Sequence, residues 1–342
     1  MNQPMTQFQF PFVVFLGDIG TEIYGKTGLG LVEWRREGCV GQVRLPDCSV
    51  DTGVADVDVQ QARAAGARTL IVGSASVGGG IPDSWVATLR DAAAAGLDIV
   101  AGLHIRLASL PGLAATAAAA GVRLIDVRVP PAGIPVGTGR KRRGRRLLTV
   151  GTDCACGKKY TALQLDRELQ QRKINSDFRA TGQTGIMIAG QGIPMDAVVV
   201  DFATGAAELL SPDNDPGHWD VIEGQGSIFH PGYLQVTIAL LVGSQPDAFV
   251  VCHDPLRTTI SGWPDFKLPS IAEVIERTVA VGRLTNPGIR CVGVSLNTSK
   301  VAAAERPAVL ARYAAETGLP CVDPLSGGVG LVVDRLLGEF PR

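Results

Sequence analysis

The chain is poor in charge and in aromatic rings. Of its 342 residues, 19% are charged and 5% aromatic, while 46% are hydrophobic. So little charge excludes a solvated, disordered chain, and this much apolar material suffices for about two ordinary domains. Neither sign of charge dominates, because the formal net charge is -1 and the pI lies near 6.4. The broad basic surface that general nucleic-acid binding needs is therefore missing. The seven cysteines (Cys39, Cys48, Cys154, Cys156, Cys252, Cys291 and Cys321) contain no CxxC pair. An odd, scattered set argues against a disulfide framework or a structural zinc site, and a cytoplasmic location is expected. Long hydrophobic runs are absent too: the most apolar stretch, 233–242, is too short for a bilayer and is interrupted by Gln235 and Thr237. No basic start followed by an apolar core is present, so no signal peptide and no membrane partner are expected. Glycine, by contrast, is plentiful at 42 residues, which points to many tight turns and close backbone approaches.

The apolar pattern alternates between strand and helix. Short apolar runs at 12–16, 40–45, 69–72, 97–101 and 122–126 are separated by helix-like pieces at 60–65, 83–95 and 113–120. That alternation predicts an α/β domain with a parallel sheet over residues 1–130. Prolines and glycines at 130–139 then break the pattern, and the densest charge run comes next, Arg140–Lys141–Arg142–Arg143–Gly144–Arg145–Arg146. Residues 131–146 read as a linker, with the basic run either solvated or reaching a ligand phosphate. A second α/β domain is expected over 147–342, with strands at 147–150, 219–223, 248–252 and 290–296 and helices at 158–171, 271–284 and 329–337. The segment 196–209 is read as a helix because of its length.

Two stretches resemble phosphate loops. Gly20–Thr21–Glu22–Ile23–Tyr24–Gly25–Lys26–Thr27 satisfies G-x-x-x-x-G-K-[ST] literally. The second, Gly151–Thr152–Asp153–Cys154–Ala155–Cys156–Gly157–Lys158–Lys159–Tyr160, has one extra residue between its glycines and Lys159 where a hydroxyl belongs. Chain context favours the second. A phosphate cradle must leave a strand and enter a helix, so that backbone N–H groups face the anion. Gly151 directly succeeds the strand at 147–150 and Lys158 opens a helix. In the first loop, by contrast, bulky residues fill the turn, and Gly28 and Gly30 weaken the helix that should come after it. Lys159 bears on the chemistry: in loops that hydrolyse nucleoside triphosphates, the hydroxyl after the lysine binds Mg²⁺, and an ammonium cannot. Thr161, roughly 200° around the helix from Lys159, is a poor substitute.

The second loop, with Thr181–Gly182–Gln183–Thr184–Gly185 and Val221–Ile222–Glu223–Gly224–Gln225–Gly226–Ser227, resembles a dethiobiotin-synthetase-type P-loop domain. Adding Gly243–Ser244–Gln245–Pro246–Asp247, Cys252–His253–Asp254–Pro255, Lys26–Thr27 and Leu103–His104, nearly the whole chain resembles a bacterial family of formerly unknown function. That family joins a Rossmann-like N-domain to a P-loop C-domain and includes a D-glutamate N-acetyltransferase. The resemblance implies acetyl-CoA as cofactor and a small acidic amino acid as substrate. Residues 151–160 would then hold coenzyme A phosphates without hydrolysing anything, which suits the loss of the Mg²⁺ hydroxyl. The alternatives are an ATP/Mg-dependent kinase or ligase of the synthetase type, and a nucleotide sensor without turnover.

Acetyl transfer to an amine needs a base, because the amine is protonated at neutral pH. Glu223 is the first candidate, ending a strand at the ligand-facing edge of an open sheet; in the ligase alternative it would bind Mg²⁺. His253 and His230 are further candidates, ahead of His104 and His218. Backbone N–H groups of 224–227 or the Ser227 hydroxyl would stabilise the oxyanion. Arg179, Gln183, Thr184, Gln225 and Arg257 are candidates for gripping the substrate, the arginines because a carboxylate invites a bidentate partner. Cys154 or Cys156 would allow a covalent acetyl-enzyme, although packing explains them more simply. No metal ligand set is expected. Gly78–Gly79–Gly80 would supply a flexible loop, and the large apolar fraction suggests a homo-oligomer.

Overall fold

The computed structural model describes residues 6–74, 81–103 and 105–341. Gly78, Gly79, Gly80 and His104, candidates by sequence, lie outside the described residues. Two compact units emerge. One takes the chain up to Ala132 together with Gly182–Ala197; the other takes Gly133–Thr181 and Val198–Arg342. Most of the stretch expected as a linker thus packs within the second unit, and a short excursion of the C-terminal half belongs to the first.

The first unit is built on five parallel strands in the order Cys39–Arg44, Phe12–Gly17, Thr69–Val72, Asp98–Ala101, Leu124–Asp126. Phe12 to Leu16 are wholly buried, as expected of a central strand covered on both faces. The literal phosphate-loop motif at 20–27 is not a loop here. The helix Glu22–Arg35 starts directly after Thr21, so Gly25, Lys26 and Thr27 are helical. Gly28 and Gly30 do not stop that helix. A side chain at Gly28 would come within 2.8 Å of Leu16 and 3.2 Å of the Gly73 carbonyl, and its own N–H donates to that carbonyl at 2.7 Å. Glycine at 28 is there for close approach to the sheet rather than for a phosphate.

The second unit carries six strands in the order Cys321–Val322, Arg290–Leu296, Ala248–His253, Arg145–Gly151, Trp219–Ile222, Ser176–Arg179, all parallel. Its core gathers Leu147, Leu165, Leu169, Val221, Val250 and Val333. The segment read as helical at 196–209 forms the helix Val200–Leu210. The apolar stretch at 233–242 forms the helix Leu234–Ser244, and among the described residues no helix is long and apolar enough to cross a membrane. All seven cysteines are free thiols.

The basic run divides: Arg140, Lys141 and Arg143 are exposed, whereas Arg142 and Arg146 turn inward, away from the phosphate loop. Arg146 is fully buried, and its guanidinium donates to the carbonyls of Arg142, Arg143, Gly144 and Pro212 at 2.9–3.2 Å. Arg142 is buried too, donating to the carbonyls of Ser211 and Gly243 at 2.7 Å. Both sit where the strand Arg145–Gly151 begins, the end opposite the phosphate loop, and the run ties carbonyls of converging loops together. Asp220, 4.0 Å from Arg146, supplies the nearest counter-charge. Arg146→Ala strands these carbonyls and removes that charge; a loss of about 3–5 kcal/mol is expected, as for other broken buried pairs, and thermal unfolding measures it. A loss below about 1 kcal/mol would contradict this role.

Candidate active site around the phosphate loop

The second loop leaves its strand at Gly151 and enters the helix Lys158–Gln171, as a phosphate cradle requires. Its turn uses left-handed backbone at Ala155 (φ 52°) and at Gly157 (φ 107°). No side-chain hydrogen bond caps the helix and no acidic residue lies in its first turn, which suits its N-terminal N–H groups to an anion. Gly151 is required by packing: a side chain there would approach the Cys156 sulfur to 2.6 Å. Cys156 is buried beneath the loop and donates to the Asp153 carbonyl at 3.0 Å. Lys158 bends back over the loop, with Nζ donating to the same carbonyl at 2.7 Å and lying 3.7 Å from the Cys156 sulfur. Lys159 places its ammonium 4.5 Å from the Tyr160 ring. The Thr161 hydroxyl is buried, 2.8 Å from Ser295 Oγ and donating to the Gly157 carbonyl at 3.1 Å, and cannot replace a Mg²⁺ ligand.

Asp153 turns inward. Its fully buried carboxylate accepts from Arg257 at 2.5 Å, from the Ser261 N–H at 2.8 Å and from the Cys154 N–H at 2.6 Å. Arg257 also donates to the Cys154 carbonyl at 2.7 Å. Asp153 and Arg257 thereby fasten the loop to the hairpin formed by Thr259–Ile260 and Trp263–Lys267. Burial raises the Cys154 thiol pKa, the reverse of what a nucleophilic thiolate needs.

Glu223 directly succeeds the strand Trp219–Ile222 and is buried, with Oε2 accepting the Thr181 N–H at 2.9 Å. A side chain at Gly224 would meet the Thr149 carbonyl at 1.6 Å and Lys158 at 3.2 Å, so this strand end presses against both the loop's own strand and its lysine. Gln225 donates to the Thr181 carbonyl at 2.5 Å. Two expected oxyanion donors are already engaged: the Gly224 N–H donates to Thr149 Oγ1 at 2.9 Å and the Ser227 hydroxyl to the Thr152 carbonyl at 3.1 Å.

The histidines divide by their partners. His230 packs between Tyr233 and Trp263, each ring 4.6 Å away. Its Nδ1 accepts the Gly232 N–H at 3.1 Å, so the neutral ring carries its proton on Nε2. That Nε2 is buried without a hydrogen-bond partner, 3.9 Å from Asp153 Oδ1. Burial lowers the pKa of His230 against the opposing pull of Asp153. The group is therefore a fixed donor beside the loop rather than a base. His253 lies between Thr152 Oγ1 at 3.0 Å and the Tyr313 hydroxyl at 3.1 Å. His218 belongs to the opposite end of the sheet, 3.3 Å from Asp220.

The structure thus gathers residues 151–160, Glu223, Gln225, Ser227, His230, His253 and Arg257 around one edge of the second sheet. Arg179 does not join them: its guanidinium donates to Asp220 at 2.7 Å and to Asp177 at 3.1 Å. Gln183 and Thr184 lie on the helix Gln183–Ala189 within the first unit, where Thr184 meets the Thr27 hydroxyl at 3.3 Å. Among the described residues two groups have metal-ligand composition, Asp153–Cys154–His230 and Asp177–His218–Asp220. Both have an arginine on a carboxylate, Arg257 in the first and Arg179 in the second. Tyr313 and the hairpin at 259–267 were not foreseen, since no short motif marks them.

Comparison with known proteins identifies the family and the two domains. Residues 135–333 match the "Domain of unknown function (DUF1611_C) P-loop domain", and residues 43–130 match the "DUF1611_N Rossmann-like domain". The chain belongs to the DUF1611 family. A crystal structure of a DUF1611 family protein from Anabaena variabilis ATCC 29413 is similar over 96% of this chain and 100% of that one, with a TM-score of 0.83 and 35% identity. A D-glutamate N-acetyltransferase from Tritonibacter scottomollicae is 47% identical over 326 residues, covering 95% of this chain and 98% of that protein. A second D-glutamate N-acetyltransferase, from Pseudoalteromonas sp., is 42% identical over 330 residues, covering 96% and 99%. In this DUF1611 chain the Rossmann-like and P-loop domains correspond to the two parallel sheets.

Proposed function

We propose that the protein transfers an acetyl group from acetyl-CoA to the amine of an acidic amino acid, D-glutamate in the first instance. Identity to two D-glutamate N-acetyltransferases over nearly the whole chain carries this reading. The loop chemistry supports it, because an uncapped helix start preceded by left-handed turns suits the phosphates of coenzyme A. Bound acetyl-CoA supplies a thioester whose carbonyl carbon accepts the amine while the thiol departs. Lys158 and the N–H groups at the start of its helix hold phosphate. Glu223 takes a proton from the substrate ammonium, so that the free amine attacks. His230 Nε2–H is a buried donor suited to developing negative charge. Arg257 already holds Asp153, so its task is to shape the loop, with only its remaining donors available to a substrate carboxylate. The seven free thiols fit a reducing cytoplasm, and a homo-oligomer is proposed with it.

The ATP/Mg²⁺ alternative is disfavoured by Lys159 and by the buried Thr161 hydroxyl, which leave no hydroxyl beside the loop lysine for the metal. Thermal unfolding with each ligand separates the two. Acetyl-CoA is expected to raise Tm in a concentration-dependent way, with little effect from ATP and Mg²⁺. A shift with ATP and Mg²⁺ but none with CoA would overturn the proposal.

A further inference from the structure

Tyr313 lies on the helix Arg306–Thr317, outside the phosphate loop and the glycine-rich turns around it. Its hydroxyl stands 3.1 Å from Nε2 of His253, with the rings edge-on at 5.2 Å. On the far side of that imidazole, Nδ1 is 3.0 Å from Oγ1 of Thr152, a fully buried residue of the phosphate loop. Three side chains from a helix, a strand end and a loop form one continuous chain.

Charges around it set the order of its protons. Burial is the main force pushing His253 down to about 4; Asp254 opposes it, and Arg257 and Arg312 reinforce it. The ring is therefore neutral and carries a single N–H. Arg312 holds its guanidinium 4.8 Å from the centre of the Tyr313 ring, a cation beside the phenol. A nearby cation makes the phenol the better proton donor, and His253 Nε2, 3.1 Å from its oxygen, is the acceptor within reach. Burial raises the Tyr313 pKa, which keeps that proton in place. The N–H of His253 is then on Nδ1 and donates to Thr152. Thr152 is held on its other sides as well: its N–H donates to the Cys252 carbonyl at 3.0 Å, and its carbonyl accepts from Ser227.

We propose that Tyr313 is a positioning residue for phosphate binding, fixing the His253 tautomer that holds the Thr152 hydroxyl and the start of the loop. The binding role rests on the loop being the phosphate cradle; the tautomer does not.

Two measurements on the full chain test this. In ¹⁵N-histidine spectra, with His253 assigned by loss of its signals in His253→Gln, Nε2 of His253 is expected to be unprotonated. In Tyr313→Phe, which keeps the ring, the two tautomers should mix. In CoA titrations Tyr313→Phe should weaken binding about five-fold, the worth of one ordinary hydrogen bond, with kcat changed less than about two-fold. Added to Thr152→Val, the same substitution should cost nothing further, because the chain is already cut. A proton on Nε2 in the unaltered protein, an unchanged tautomer in Tyr313→Phe, or losses that multiply in the double variant would each overturn the proposal. If the unaltered protein bound no CoA, the acetyl-CoA reading would fail by itself, and ATP would serve as the phosphate ligand in the same titrations.

Discussion

Lys158→Ala raises the dissociation constant for CoA by about 100-fold, the scale of a lost charge-assisted contact to phosphate. The basis is its position. The side chain is held at the loop by its bonds to the Asp153 carbonyl and the Cys156 sulfur, and only 7% of the residue is exposed. The ammonium is thus placed over the loop before any ligand arrives, and little side-chain order remains to be imposed on binding. Truncation also leaves the Asp153 carbonyl with only the Cys156 thiol as donor. Isothermal titration with CoA reads the effect directly. An affinity within two-fold of the unaltered protein would remove residues 151–160 from the cofactor site.

Glu223→Gln lowers kcat by about 10³-fold with little change in KM, within the usual range for loss of a general base. The amide oxygen of glutamine can still accept the Thr181 N–H, so the strand end stays intact while the proton acceptor is lost. The competing bases are poorly placed. His253 has both ring nitrogens engaged, and His230 presents a proton rather than a lone pair. A kcat within ten-fold of the unaltered protein would exclude Glu223 as the base.

Much of the fold was legible because it depends on local period. The strands Thr69–Val72 and Arg290–Leu296 and the helices Leu113–Ala120 and Lys158–Gln171 stand at the bounds read from the sequence. The loop at 151–158 was legible for the same reason, since strand, glycine and helix come in direct succession. What the pattern concealed depends on distant partners. The literal motif at 20–27 failed because its helix starts three residues before Gly25, and Gly28 is explained by the close approach of Leu16 and Gly73. The basic run read as linker because its acceptors, such as the carbonyls of Ser211 and Gly243, lie far along the chain. Arg179 looked like a substrate ligand because Asp220, which occupies it, is on the neighbouring strand. Gln183 and Thr184 come almost directly after the second unit's Thr181, yet the chain has by then passed into the first unit. Tyr313 carries no motif, and only the fold brings it to His253.

The central claim is acetyl transfer, and release of free thiol from acetyl-CoA, monitored across D- and L-amino acids, tests it most directly. The account predicts release that depends on an acidic amino acid, fastest with D-glutamate, without ATP or Mg²⁺. Formation of ADP from ATP and Mg²⁺, with no thiol released from acetyl-CoA by any amino acid, would contradict it.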